Sequence, residues 1–327
     1  MVRRVLAVWV LGWSLAVPVR AQQASSTEGA LFLLLPVGAR GVSMGRAVTA
    51  LDGPESAFWN PAGLTGVSRH SAVFFRGGQS IGGETTAFSL VLPKAGVGAM
   101  GMSYLLHDLG DQELTDANGN YRGTISVRNH VGAMSLAGAV MASLSAGMNL
   151  KMVRSRYDCR GNCDNPGTTA TTYALDAGLQ LRPAPDRPLK LGFMVAHLGP
   201  ALQVQDIAQA DPIPGRIRLA ASYDVLTLID DNPLFQGWLS FEVQQRLRDR
   251  GPTAFYFGSE FRAGEADGED MLMLRAGAVL HGDVGQASGN VGLGIRYERF
   301  ELSVARGWVV SGLEESPPIH VTLALTF

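Results

Sequence analysis

The chain has 327 residues, a formal net charge of −2, 17% charged side chains and 40 glycines. Near-neutral charge without a basic block argues against nucleic acid as a partner. High glycine and low charge point to turns and crowded backbone rather than helices. Beyond the N-terminal run, no apolar stretch approaches the roughly 20 residues of a membrane-spanning helix.

Arg3 and Arg4 precede an apolar run from Val5 to Val19, followed by Arg20 and Ala21. A basic start, a short apolar centre and a Val-x-Ala end describe a secretory signal peptide, residues 1–21, cleaved after Ala21. The run is too short for a spanning anchor. Residues 22–69 come next, glycine-rich and carrying "SAFWNPAGL" at 56–64. Here Asn60 is placed to cap a helix through its side chain, with Pro61 at the first helical position, where no N–H is needed.

From residue 70 the apolar residues recur at every second position, the strand period. Tyr173, Leu175, Ala177, Leu179 and Leu181 alternate with Thr172, Ala174, Asp176, Gly178, Gln180 and Arg182. Ile217, Leu219, Ala221 and Tyr223 oppose Arg216, Arg218, Ala220, Ser222 and Asp224. Leu239, Phe241 and Val243 oppose Ser240, Glu242 and Gln244, and the last segment sets Ile319, Val321, Leu323, Leu325 and Phe327 against His320, Thr322, Ala324 and Thr326. The pattern predicts strands at 70–77, 83–93, 95–105, 125–137, 142–154, 169–183, 188–198, 214–225, 236–247, 252–262, 270–280, 288–297, 299–308 and 317–327. That is roughly fourteen, and boundary shifts of about two to four residues would make it twelve or sixteen.

A soluble sandwich and a transmembrane barrel both produce alternation. The segments run closer to the roughly 9–11 residues of a barrel strand than to the roughly 5–6 of a soluble one. Their polar faces mix charge with glycine, as a wet lumen does. With the export signal, the expectation is all-β: a transmembrane antiparallel β-barrel of about 14 strands over 70–327. An even count puts both termini on the periplasmic side of a bacterial outer membrane, with short inner turns and long outer loops at 106–124, 156–168 and 199–213.

Cys159 and Cys163 are the only cysteines, inside an expected outer loop, and a disulfide is the default outside the cytoplasm. With Asp158 and Asp164 but no histidine, they make a poor metal site, so no metal is expected. Asp116, Asn118 and Asn120 alternate like a calcium loop but lack its closing acid, which favours a polar hairpin. "GARGVSMG" lacks the Lys-Ser/Thr ending of a phosphate loop. No histidine stands at motif spacing from a serine or cysteine. The chain reads as no enzyme, without a cofactor.

The block "GARGVSMGRAVTALDGPESAFWNPAGL", residues 38–64, resembles the N-terminal signature of the PorV/PorQ family, relatives of the FadL-like outer-membrane transporters. The resemblance rests on Gly38, Ala39, Arg40, Met44, Gly45, Asp52, Ala57, Trp59, Asn60, Pro61, Ala62, Gly63 and Leu64. "DANGNYRGTIS" and "HLGPALQ" are also similar, with His197 where the family has Asn. The C-terminal Phe327 resembles the signal by which the barrel assembly machinery recognises such proteins.

The resemblance implies that 22–69 folds as a plug inside the barrel with short helices, its Arg40, Arg46 and Asp52 pairing with lumen charges such as Glu242, Glu260 or Glu301. Lumen charges Asp176, Arg182, Arg216, Arg218, Arg262, Arg275 and Arg296 would hold it. Two functions follow, and both leave the protein in contact with outer-membrane lipid. One is protein secretion or cargo handling with secretion-system components as partners. The alternative is FadL-like uptake of fatty acids or another hydrophobic ligand, with Met100, Met102, Tyr104, Leu105 and Leu106 as lining and Gly96, Gly98 and Gly101 kinking the strand.

Overall fold

A computed structural model describes residues 28–78, 82–93, 98–163, 167–183, 188–203, 210–229, 232–248, 251–264, 270–280, 287–309 and 317–327. The signal-peptide reading of 1–21 and Gly96 lie outside these residues.

Fourteen antiparallel strands close into a barrel. In chain order they are β1 (Ser71–Gly78), β2 (Glu84–Leu92), β3 (Ala99–Thr115), β4 (Tyr121–Met141), β5 (Leu144–Gly161), β6 (Gly167–Leu181) and β7 (Leu189–Leu198). After a small separate hairpin, β8 (Leu202–Gln203) and β9 (Ala210–Asp211), come β10 (Arg216–Asp224), β11 (Phe235–Arg246), β12 (Ala254–Gly264), β13 (Met271–Leu280), β14 (Ser288–Tyr297), β15 (Phe300–Val309) and β16 (Ile319–Thr326). The ring closes where β1 pairs with β16, from Ser71↔Thr326 to Gly77↔His320.

Alternation has one physical cause all round the ring. Met102 is 62% exposed, Leu150 56% and Leu323 51%, while their polar and small neighbours point inward. Large apolar side chains so open would be buried between the layers of a sandwich; here they form the lipid-facing band, about 25 Å tall in barrels of this kind. The inner face carries Ser89, Asn149, Asp176, Gln180, Arg216, Glu242 and Glu260, all buried.

Strands β3 to β5 are longer than the alternation predicts. Most of 106–124 is β3 and β4, joined through an irregularity between Asp108 and Asp111. At their tip Asp116 accepts from the backbone of Asn118 and Asn120 and from the Asn120 side chain, with Gly119 at φ 82. The Asn120 side chain and backbone hold the Asp116 carboxyl below its usual range. This is a closed polar turn. Cys159 and Cys163 are disulfide-bonded, with Cα atoms 6.3 Å apart.

The strand following the plug and the last strand meet at one end of the barrel, but Glu28 does not lie there. It is held by Arg216, at the opposite end of β10 from Asp224. The first described residue of the plug therefore sits near the far mouth.

Candidate functional site

The lumen is filled by residues 28–70, and the wall is shaped to receive them. On β12 and β13, Gly258 and Gly277 face each other. A side-chain carbon on Gly258 would stand 2.6 Å from Met44 O, and one on Gly277 would overlap the Met44–Gly45 backbone. Across the lumen, Gly147 and Gly178 pair on β5 and β6. A carbon on Gly147 would stand 2.5 Å from Ala62 N, and one on Gly178 would overlap Asn60 Oδ1. Each cross-strand pair is a bare seat for plug backbone, and each receives one half of the signature motif.

The motif residues have distinct tasks. Gly38, at φ 90, lies where a side chain would overlap the Glu55 carboxyl. Helix α1, Ala39–Ser43, follows, and Met44 is completely buried. Gly45, at φ 57, turns the chain against the wall. Trp59 Nε1 donates to Val37 O at 2.9 Å, tying the two halves of the plug.

Asn60 answers to both neighbours. Its Oδ1 accepts from Ala62 N at 3.1 Å, capping a 3-10 turn over Pro61–Gly66, while Nδ2 donates to Thr49 O at 2.7 Å and to Leu179 O on β6 at 3.2 Å. The expected cap is present, on a 3-10 turn.

Charge fixes the plug further. Arg40 donates to both Glu260 oxygens, each at 2.9 Å, and to Asp52 O. Arg262 and Arg275 also contact Glu260, so three guanidiniums converge on one side chain with no exposure. Asp52 pairs with Lys190 at 2.5 Å and Arg182 at 2.9 Å, not with an arginine of its own segment. Glu242 accepts from Thr49 N and Oγ1. Glu301 binds Arg296 and lies 3.8 Å from Arg275, both on the wall. Arg46 Nη1 donates to Leu34 O. Of the expected plug-to-wall carboxylates, Glu260 takes Arg40 and Glu242 takes a threonine.

The lumen has two unlike halves. Around Phe32, Leu35 and Val37 of the plug, the wall presents Phe75, Ala87, Leu105, Val131, Val153, Ala170 and Ala174, and the β8–β9 region adds Leu202 and Ile213. Next to this cluster lies a small cavity of about 20 Å³, lined by Leu35, Val37, Phe58, Trp59, Met194, His197 and Arg218. At the end where β1 begins lies a charged vestibule of about 550 Å³, reached by Arg40, Asp52, Glu55, Lys190, Arg262, Arg275, Arg296 and Glu301. Burial pushes the Glu55 carboxyl up to about 7, against the pull of Arg275 and Arg40.

The β6–β7 ladder, from Leu175 to Leu181, is interrupted by a register shift between Leu175 and Ala177. His197 sits there at φ 58, a left-handed position uncommon for residues other than glycine. Asp176 accepts from His197 N at 2.9 Å and from Asn149, and pairs with Lys151 at 2.6 Å. Above the shift, Thr172 Oγ1 on β6 donates to Pro200 O, so the chain entering β8 covers the gap.

The five lining candidates divide by phase. Leu105 is in the apolar lumen cluster. Met102 and Tyr104 are exposed on the outside, and Met100 and Leu106 share their side of the strand. A period of two cannot place them all inside. The expected kink is also absent among the described residues: Gly98, at φ 129, precedes β3, and the β2–β3 ladder runs unbroken from Glu84↔Asp108 to Leu92↔Met100. Alternation alone missed the glycine seats, the Lys151–Asp176–His197 group and the Glu28–Arg216 pair. Inward-phase glycines were the one available signal.

No family model and no curated protein matches the chain. Solved structures do. The toluene transporter TbuX of Ralstonia pickettii is 13% identical, with a TM-score of 0.59 over 90% of this chain and 100% of that one. The toluene transporter TodX of Pseudomonas putida is 9% identical, TM-score 0.58, over 89% and 96%. A FadL homologue from Pseudomonas aeruginosa is 11% identical, TM-score 0.56, over 90% and 98%. The likeness is one of fold: a closed barrel of fourteen antiparallel strands.

Proposed function

We propose that the protein is a bacterial outer-membrane conduit for hydrophobic small molecules, with the long β3–β6 hairpins outward and the charged vestibule facing the periplasm. The observation that carries this reading is the division of the lumen. An apolar half, in which the Phe32–Val37 segment occupies the space, lies above a charged half that would repel such a molecule. A ligand entering from the far mouth would displace that segment. It would then leave through the β6–β7 wall, where the ladder is shifted, rather than through the vestibule. The solved relatives of this fold that carry toluene support the reading. The secretion and cargo-handling role implied by the PorV/PorQ resemblance has no support from the comparisons.

The test is uptake. Cells expressing the chain in a host lacking hydrocarbon carriers should accumulate labelled toluene or a long-chain fatty acid faster than cells with empty vector. Replacing Ala174 by Trp in the apolar half should abolish the gain. Equal uptake with and without the chain, for both ligands, would end the proposal.

A further inference from the structure

The outer face of β3 to β6 changes character abruptly. Below, it shows Met134, Leu150, Met152 and Tyr173, all about half exposed as lipid-facing side chains are. One outward row further on, about 7 Å along the strand, stand His130 and Arg154, directly paired across β4 and β5. The next outward row sets Arg128 opposite Arg156. Like charges directly opposed on one face weaken a sheet, and here the pair stands in rigid ladder rather than a loop.

Two carboxylates on the same face partly offset the charge. Arg128 binds Asp108 at 2.9 Å and Arg156 binds Asp158 at 2.6 Å, with both guanidinium side chains still 43% and 51% exposed. Arg154 is exposed and has no ion pair among the described residues. Its other cross-strand neighbour is Thr171, and Thr169 lies opposite Arg156. Tyr104 OH is 2.7 Å from His130 Nδ1, which fixes that ring at the edge of the apolar band. Three guanidiniums against two carboxylates leave the patch positive, with hydroxyl donors beside it.

We infer that this patch binds the phosphate groups of a phosphorylated multi-acyl glycolipid in the membrane leaflet at the long-hairpin end. The position selects the partner: a molecule at this height must lay acyl chains on Met134, Leu150 and Met152 while presenting an anion one row above. Planar guanidiniums take phosphate oxygens in pairs, and long arginine stems reach along apolar surface to the headgroup level. A bridging phosphate also removes the Arg128–Arg156 repulsion. The inference rests on the proposed membrane orientation and is independent of what, if anything, passes through the lumen.

The full chain is expressed in the outer membrane of a Gram-negative host, extracted in non-ionic detergent and freed of loose lipid by gel filtration. Retained glycolipid is then measured by mass spectrometry. The triple variant R128Q/R154Q/R156Q should retain less by about fivefold per charge removed, while R306Q, the outward arginine of β15, should retain as much as the parent. Titration with detergent micelles containing bisphosphorylated lipid A, dephosphorylated lipid A or phosphatidylglycerol separates the sources: only the first should bind tightly. If the triple variant fails to assemble, R154Q, which breaks no ion pair, carries the comparison. Equal retention by parent and variants, equal binding of the dephosphorylated lipid, or equal binding of phosphatidylglycerol would each overturn the inference. Unchanged hydrocarbon uptake in the variants is expected and keeps this test separate from the transport proposal.

Discussion

Replacing Glu260 by glutamine should unseat the plug. The carboxylate is fully enclosed and receives Arg40 from the plug and Arg262 and Arg275 from the wall. Glutamine keeps the shape and one acceptor oxygen but puts an NH2, itself a donor, among three cations that need acceptors. Removing one partner of a buried ion pair costs about 3–5 kcal/mol. Arg40 is 15% exposed and Arg262 23%, both toward the vestibule, so water relieves some of the loss and the lower figure applies. At about 1.4 kcal/mol per tenfold, about 3 kcal/mol raises the unseated population by about 100-fold.

Planar-bilayer recordings report it directly: parent protein should be nearly silent, and E260Q should show frequent openings. Heat-modifiable gel mobility should be unchanged, because no strand pairing is lost. R40Q should open less often than E260Q, since two cations remain on the carboxylate, and R40Q/E260Q should fall short of the sum of the two. An E260Q barrel as silent as the parent, with the plug equally protected from protease, would refute the reasoning.

Gly258→Ala should also loosen the plug, by about 1–3 kcal/mol, because both Met44 O and the added carbon belong to stiff backbone; Gly289→Ala, with nothing within 4 Å, is the silent control in the same conductance assay. Glu55 makes seating pH-dependent. Its carboxyl has a usual value of 4.5 and is raised to about 7 when seated, so the seated form holds the proton more tightly. Seating should be firmest below the usual value, weaken as pH rises toward about 7 and level off above it, and Glu55→Gln should flatten the profile of openings against pH. Phe327 donates its N–H to His70 O and stacks on that ring at 5.7 Å, with more than half its surface open. Phe327→Ala should lower the amount of assembled barrel in the outer membrane, measured as the heat-modifiable fraction, whereas Phe300→Ala should not.

The strands were legible because one physical contrast, lipid outside and water inside, is imposed at every second residue. The same contrast explains where legibility stopped. Beyond Asp108 both faces of β3 are open to solvent, so Asp111 and Glu113 alternate with nothing and read as loop. Asn60 and Pro61 were visible as a cap and first-turn pair, and Gly38 and Met44 only through the resemblance of their block, but their partners Gly258 and Gly178 lie far along the chain, and no local pattern joins them. Met100, Met102 and Tyr104 were misread for a different cause: their side of the strand was already the greasy one, and grouping them with Leu105 crossed its phase. The Asp52 partners, Lys190 and Arg182, were hidden because charge sign allows many pairings and only the closed ring selects one.

The bidentate hold of Arg216 on Glu28 tethers the stopper at both rims. Its first described residue is fastened near the far rim, and its trailing end runs straight into the first stave, onto which the final stave zips. A stopper held at both ends opens by shifting within the vessel rather than by being expelled from it.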